Sequence, residues 1–218
     1  MKKILFVFIC AAAMLAGCTH MQKAVSGDAQ AVIFETDMGN DIDDALALDL
    51  LYKAMDEGSI NLLAVSCHKK SDYAPEFVDV MNTWYGYPDI EVSRGGVCIA
   101  NDGAVDYAKA VCLMEDEFGQ PLFERSKKAE QITESVDMYR RLLSTQKDSS
   151  VVLVSVGFST TLAALLQSGP DEYSPLTGRE LVARKVKLTS IMAGSFGDDA
   201  RAEYNIVNDT VSARYVFD

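Results

Sequence analysis

A short apolar run, Ala31-Val32-Ile33-Phe34, stops at a cluster of acids and resumes as a helical pattern. That junction constrains the fold more than any other stretch of the chain. Five acidic residues fall within eleven positions, Glu35-Thr36-Asp37-Met38-Gly39-Asn40-Asp41-Ile42-Asp43-Asp44-Ala45. The pattern Ala45-Leu46-Ala47-Leu48-Asp49-Leu50-Leu51 follows directly. The carboxylates therefore sit where a strand ends and a helix begins. Like charges this close repel, and a bound hard cation, calcium or magnesium, is the usual reason for gathering them. Helix capping and the helix dipole account for Asp43 and Asp44, but not for Asp37 and Asp41 as well.

The rest of the chain repeats the alternation. Strands are predicted over Ala31–Thr36, Ile60–Cys67, Pro88–Val92, Ser150–Val156 and Lys187–Met192. Helices are predicted over Asp43–Met55, Ala74–Tyr85, Thr133–Ser144 and Ser159–Gln167. Phe77, Val80, Met81 and Trp84 are spaced to give the second helix one apolar face, with Trp84 and Tyr85 as core and edge aromatics. Residues 93–130 carry a Gly95-Gly96 turn, an Asn101-Asp102-Gly103 turn and one or two helices. Ser150–Val156 is apolar nearly throughout, as a parallel strand buried on both faces requires. Strands separated by helices imply an α/β fold: a mostly parallel, Rossmann-like open sheet with helices on both faces. Sites in such sheets form beyond the carboxyl ends of the strands. Three positions qualify: Asp37, the Val156-Gly157 corner and the loop after Met192.

The 218 residues fit one domain with a sizeable core. The formal net charge of −12 argues against binding nucleic acid through its phosphates. Met1-Lys2-Lys3 and the apolar Ile4–Ala16 read as a signal segment, too short to span a bilayer comfortably. It ends at Leu15-Ala16-Gly17-Cys18, which resembles the lipobox of bacterial lipoproteins. The expected organisation is a signal peptide over 1–17, a lipidated Cys18 with a polar tether over 18–30, and one domain over 31–218. The protein is then exported and anchored by lipid on the periplasmic or cell-surface side. Cys67 reads as a small core residue, and no pairing among Cys67, Cys98 and Cys112 is indicated.

Several chemistries fail on the acidic loop. In an EF-hand register starting at Asp37, Gly39 falls where an acid is needed; starting at Asp41, Ala45 does. A phosphatase of the aspartyl-phosphate type would place its nucleophile at Glu35, a glutamate. Gly39 stands alone among acids that would repel a phosphate, so no phosphate loop is present.

A better match spans most of the chain. The stretch from Ile33 to Leu48 resembles the N-terminal signature of the inosine–uridine-preferring nucleoside hydrolases, Asp-x-Asp-Pro-Gly-x-Asp-Asp-Ala. It differs by Glu35, by Met38 for proline, and by two extra residues that include Asn40 and Asp41. Leu153–Thr160 resembles the family's central strand end. Ile191-Met192-Ala193-Gly194 resembles its Met-Gly-Gly turn. Ala202-Glu203-Tyr204-Asn205 is similar to its Ala-Glu-Phe-Asn segment.

The resemblance implies N-glycosidic hydrolysis of ribonucleosides to base and ribose with calcium. It implies that Asp37 ligates calcium and acts as general base on a metal-bound water. Asp44 and the Val156 backbone carbonyl would be further ligands. Asp43, Glu203 and Asn205 would contact the ribose. The partner is a small-molecule nucleoside, with no nucleic acid, the membrane only through the lipid, and a homo-oligomer left open. Family members also supply a late His-Asp pair, for the leaving base and the calcium. The chain stops at Tyr215-Val216-Phe217-Asp218 without such a pair and reads as lacking the C-terminal part of the domain. His68, after the second strand, reads as a surface-loop histidine, with a place near the site, which a strand end allows, as the alternative. The alternative reading is a truncated, catalytically silent member that binds calcium or sugar.

Overall fold

The structure is a computed structural model that describes residues 29–99, 105–198 and 200–218, without the side chains of 96–99. The signal segment, Cys18, nearly all of the tether and the Asn101-Asp102-Gly103 turn lie outside the described residues.

The chain runs β1 (Gln30–Thr36), α1 (Asp43–Asp56), β2 (Ile60–Lys69), α2 (Tyr73–Trp84), β3 (Glu91–Ile99) and α3 (Tyr107–Cys112). It continues through β4 (Thr133–Glu134), α4 (Ser135–Thr145), β5 (Val151–Ser155), α5 (Thr160–Gln167), α6 (Gly178–Lys185), β6 (Val186–Ile191), α7 (Tyr204–Asn208) and α8 (Thr210–Phe217). The strands form one sheet in the order β4-β3-β2-β1-β5-β6, and every pairing is parallel. The chain thus works outward from β1 to β4, then crosses β1 and works outward again through β5 and β6. The order reverses between β1 and β5, which is where open α/β sheets leave a crevice at their carboxyl edge.

Side-chain alternation along the strands builds two cores, one on each face. Val32, Phe34, Leu62, Val65 and Val92 pack under α1, α2 and α3 with Leu48, Tyr52, Phe77 and Val78. Ile33, Ala64, Val151 and Leu153 point the other way, against Met138, Tyr139 and Leu143 of α4 and Leu162 and Leu165 of α5. Ile33 and Phe34 are wholly buried, on opposite faces of one strand. A strand covered on both sides cannot alternate apolar with polar, which is why β1 and β5 read as continuous apolar runs.

Three local expectations change. The Gly95-Gly96 pair makes no turn, because β3 runs straight through it. Arg94 pairs with Cys67 and Ile99 with Lys69, so a register irregularity in the ladder absorbs the extra residues. Trp84 is 73% exposed and meets Phe123 edge-on at the surface. The buried side of α2 is instead set by Ala74, Phe77, Val78 and Val80. His68 is no loop residue: β2 extends to Lys69 and buries it completely. Cys67 is a buried core residue, as expected. Among the described residues, no helix is long and apolar enough to cross a membrane.

Candidate active site

The three strand-end positions meet in one place. A cleft of about 330 Å³ opens at the β1–β5 crossover, lined by Asp37, Asn40, Asp41, Asp43, Asp44, Val105, Val156, Met192, Tyr204 and Asn205. Backbone hydrogen bonds weld its floor together. Val156 N–H donates to the Glu35 carbonyl at 2.9 Å, and Met192 N–H donates to the Ser155 carbonyl at 2.8 Å. The ends of β1, β5 and β6 therefore stay in register just past the sheet.

The acidic loop folds around Thr36. Its hydroxyl oxygen accepts the Met38 N–H at 3.0 Å and donates to Asp44 Oδ1 at 2.5 Å. One side chain thus turns the chain out of β1 and ties it to the first turn of α1, a local competition with strand pairing at which threonine is apt. Gly39 follows with a φ of +131°, a conformation that penalises a side chain. A Cβ there would also meet Lys69 Nζ at 3.0 Å and Asp106 Oδ1 at 3.2 Å. Gly39 in turn accepts the Tyr107 N–H at 2.9 Å.

Asp37 and Asp44 are 9% and 7% exposed. Burial raises the Asp37 carboxyl above its ordinary range. Burial, followed by the charge of Asp37, pushes Asp44 up to about 7. Two carboxylates held this dry and this close resist losing both protons unless a cation joins them. Lys69, 3% exposed, supplies one positive charge and donates to Asn40 Oδ1 at 2.5 Å. Asp43 is exposed on the rim, free to meet a ligand.

The opposite wall comes from the loop after β6 and from α7. Asn205 is buried, and its side-chain amide donates to the carbonyls of Val156 and Met192, each at 3.3 Å. Glu203 does not line the cleft. Its carboxylate accepts from the N–H groups of Asn205 at 2.8 Å, Ile206 at 3.2 Å and Gly194 at 3.1 Å. It caps α7 and pins the Met192–Gly194 turn to it.

Sequence reasoning passed over Thr36, Lys69, Val105 and Tyr204. Thr36 carried a signal, a hydroxyl residue at a strand end. Lys69 and Val105 carried none, since their relevance comes from packing across the sheet.

The donor set suits a hard cation: two carboxylates and a backbone carbonyl, all oxygen. No three His, Cys, Asp or Glu side chains converge on one point among the described residues. The remaining ligands would then be water or substrate.

The family model described as inosine-uridine preferring nucleoside hydrolase matches residues 32–218. No curated protein matches the chain. Among solved structures, a plant nucleoside hydrolase, PpNRh1, is 23% identical with a TM-score of 0.59, over 86% of this chain and 56% of that one. The purine-preferring ribonucleoside hydrolase from Gardnerella vaginalis is 18% identical with a TM-score of 0.59, over 86% and 57%. The type III effector XopQ, solved with adenosine diphosphate ribose, is 18% identical with a TM-score of 0.61, over 87% and 52%. The chain spans about half the length of these structures, and at such identities the likeness speaks to the fold.

Proposed function

Because the chain belongs to the inosine-uridine preferring nucleoside hydrolase family, we propose that its cleft binds a ribonucleoside and hydrolyses the N-glycosidic bond to free base and ribose. The observation that carries this reading is the meeting of Asp37, Asp44, Val156 and Asn205 in one cleft at the sheet's crossover. Asp37, Asp44 and the Val156 carbonyl would hold calcium, which supplies charge to polarise and orient a water molecule. Asp37 accepts the proton of the attacking water, a role that its place in the lining of the cleft suits. Asp43, exposed on the rim, and Asn205 bind the ribose hydroxyls. Glu203 acts on the ribose at one remove, through the α7 N-terminus that it caps. The negative lining of the cleft favours the positive charge that develops on the sugar in an oxocarbenium-like transition state. Val105, Met192 and Tyr204 offer apolar surface on which a base can lie.

The test is the purified protein with calcium and inosine or uridine, read as free ribose. Ribose release above background is expected, and Asp37→Asn should lower it on the order of 10²–10⁴-fold. Calcium binding without ribose release would replace this reading with the silent cation- and sugar-binding one.

We also propose export and lipid anchoring through Cys18, on the strength of Leu15-Ala16-Gly17-Cys18. Cys18→Ser should move the protein from the membrane fraction to the soluble one; an unchanged distribution would refute the anchor.

A further inference from the structure

Two buried groups behind the cleft have no part in the chemistry above. Glu35 ends β1 and His68 lies near the end of β2, 1% and 0% exposed. His68 Nε2 accepts the Phe158 N–H at 2.7 Å. Two donors cannot face each other at that distance, so Nε2 carries no proton. A neutral imidazole then holds its proton on Nδ1, which points at Glu35 Oε1 from 3.4 Å. That distance is longer than an ordinary hydrogen bond, and neither Nδ1 nor either Glu35 oxygen has a hydrogen-bond partner among the described residues. Among the described residues, the Nδ1 proton and the Tyr139 hydroxyl, itself without a hydrogen-bond partner, face this buried carboxyl group.

Phe158 closes the corner that presents Val156 to the cleft. Gly157 lies between them, and a Cβ there would stand 2.4 Å from His68 Nε2 and 2.6 Å from Asp37 Oδ1. His68 therefore backs both the corner and the Asp37 carboxylate.

We propose that Glu35 and His68 are a positioning pair: the Glu35 carboxyl group faces Nδ1 and favours the proton there by its charge, and the bare Nε2 holds the Phe158 N–H, fixing the corner against Asp37. Partners of this kind orient ligands they do not replace, and losing one typically weakens metal binding by about 10–100-fold. The consequence for cation binding rests on the functional reading above; the tautomer and the Phe158 hydrogen bond do not.

Nitrogen-15 NMR of the unmutated protein tests the tautomer directly. The chain has two histidines, so a His20→Gln variant assigns His68. A pyridine-type shift at Nε2 and a pyrrole-type shift at Nδ1 are expected. The opposite tautomer, or an imidazolium, would overturn the pair. Terbium titration then compares His68→Leu, which has no acceptor, with His68→Gln, whose amide oxygen can still take the Phe158 N–H. The expected result is terbium binding weakened about 10–100-fold in His68→Leu and largely recovered in His68→Gln, with Phe158 amide protection following the same order. Unchanged affinity and protection in His68→Leu would overturn the proposal. Absence of terbium binding by the unmutated protein would instead remove the cation reading, leaving tautomer and amide protection to decide the pair. The tautomer measurement stands even where His68→Leu fails to fold.

Discussion

Gly157→Ala is expected to abolish cation binding and ribose release and to destabilise the fold by roughly 3 kcal/mol. Gly157 is not at a positive φ, so the cost comes from space alone. The added Cβ would stand 2.4 Å from His68 Nε2, 2.6 Å from Asp37 Oδ1 and 2.8 Å from the Asp37 backbone nitrogen. A flexible side-chain tip can step aside, but His68 is fully buried and the Asp37 nitrogen belongs to the backbone at the end of β1. Relief requires the corner and the acidic loop to separate, which pulls the Val156 carbonyl away from Asp37. Thermal unfolding and terbium titration of the same sample check the two halves. A variant with the parent's stability and affinity would show that the corner is looser than these distances imply.

Asp44→Asn should do the reverse to stability while still destroying binding. Burial and the charge of Asp37 push Asp44 up to about 7, well above the ordinary aspartate value. Between that ordinary value near 4 and about 7 the folded, metal-free protein holds a proton that the unfolded chain releases. Stability without cation therefore falls as pH rises through this window and levels off above it. A shift of this size corresponds to roughly 4 kcal/mol at most, because Asp37 and Asp44 titrate together. An asparagine side chain at this position cannot ionise and can keep the Thr36 hydroxyl bond. The variant should therefore gain Tm in chelator at pH 8 and lose most of the pH dependence. With calcium present the unmutated protein should gain stability by mass action and the variant should not. A variant less stable than its parent in chelator at pH 8 would mean that the acidic pair is not a strained, cation-awaiting site.

Much of this was legible in the sequence. The apolar runs at Ala31–Phe34 and Ser150–Val156 announced buried parallel strands, because a strand covered on both faces has no polar face to show. The acids after the first run marked the site, since no fold gathers such charges by accident. Strand ends were legible as site positions because parallel sheets open their crevice there. His68 was read as a loop residue because the apolar pattern ends at Cys67, whereas the ladder to β3 carries β2 on to Lys69. Trp84 fits a helical period, yet α2 presents a different arc to the sheet. Glu203 matched a ribose contact by its segment, while its carboxylate caps the helix that follows.

By itself the sequence determined the fold class, the family, and which carboxylates stand at the first strand end. The fold class and the carboxylates follow from periodicity and local chemistry, which neighbouring residues decide among themselves; the family follows from the resemblance of four segments of the chain to its signature. Only the tertiary structure decided that Val156, Met192 and Asn205 face those carboxylates, that Lys69 lies under the loop, and that Glu35 and His68 support the corner. The relations across the cleft depend on the reversal of strand order between β1 and β5, which brings together residues more than a hundred positions apart, and those of Lys69 and His68 on the pairing of β1 with β2. They also depend on burial, which turns an ordinary aspartate into a carboxyl raised to about 7.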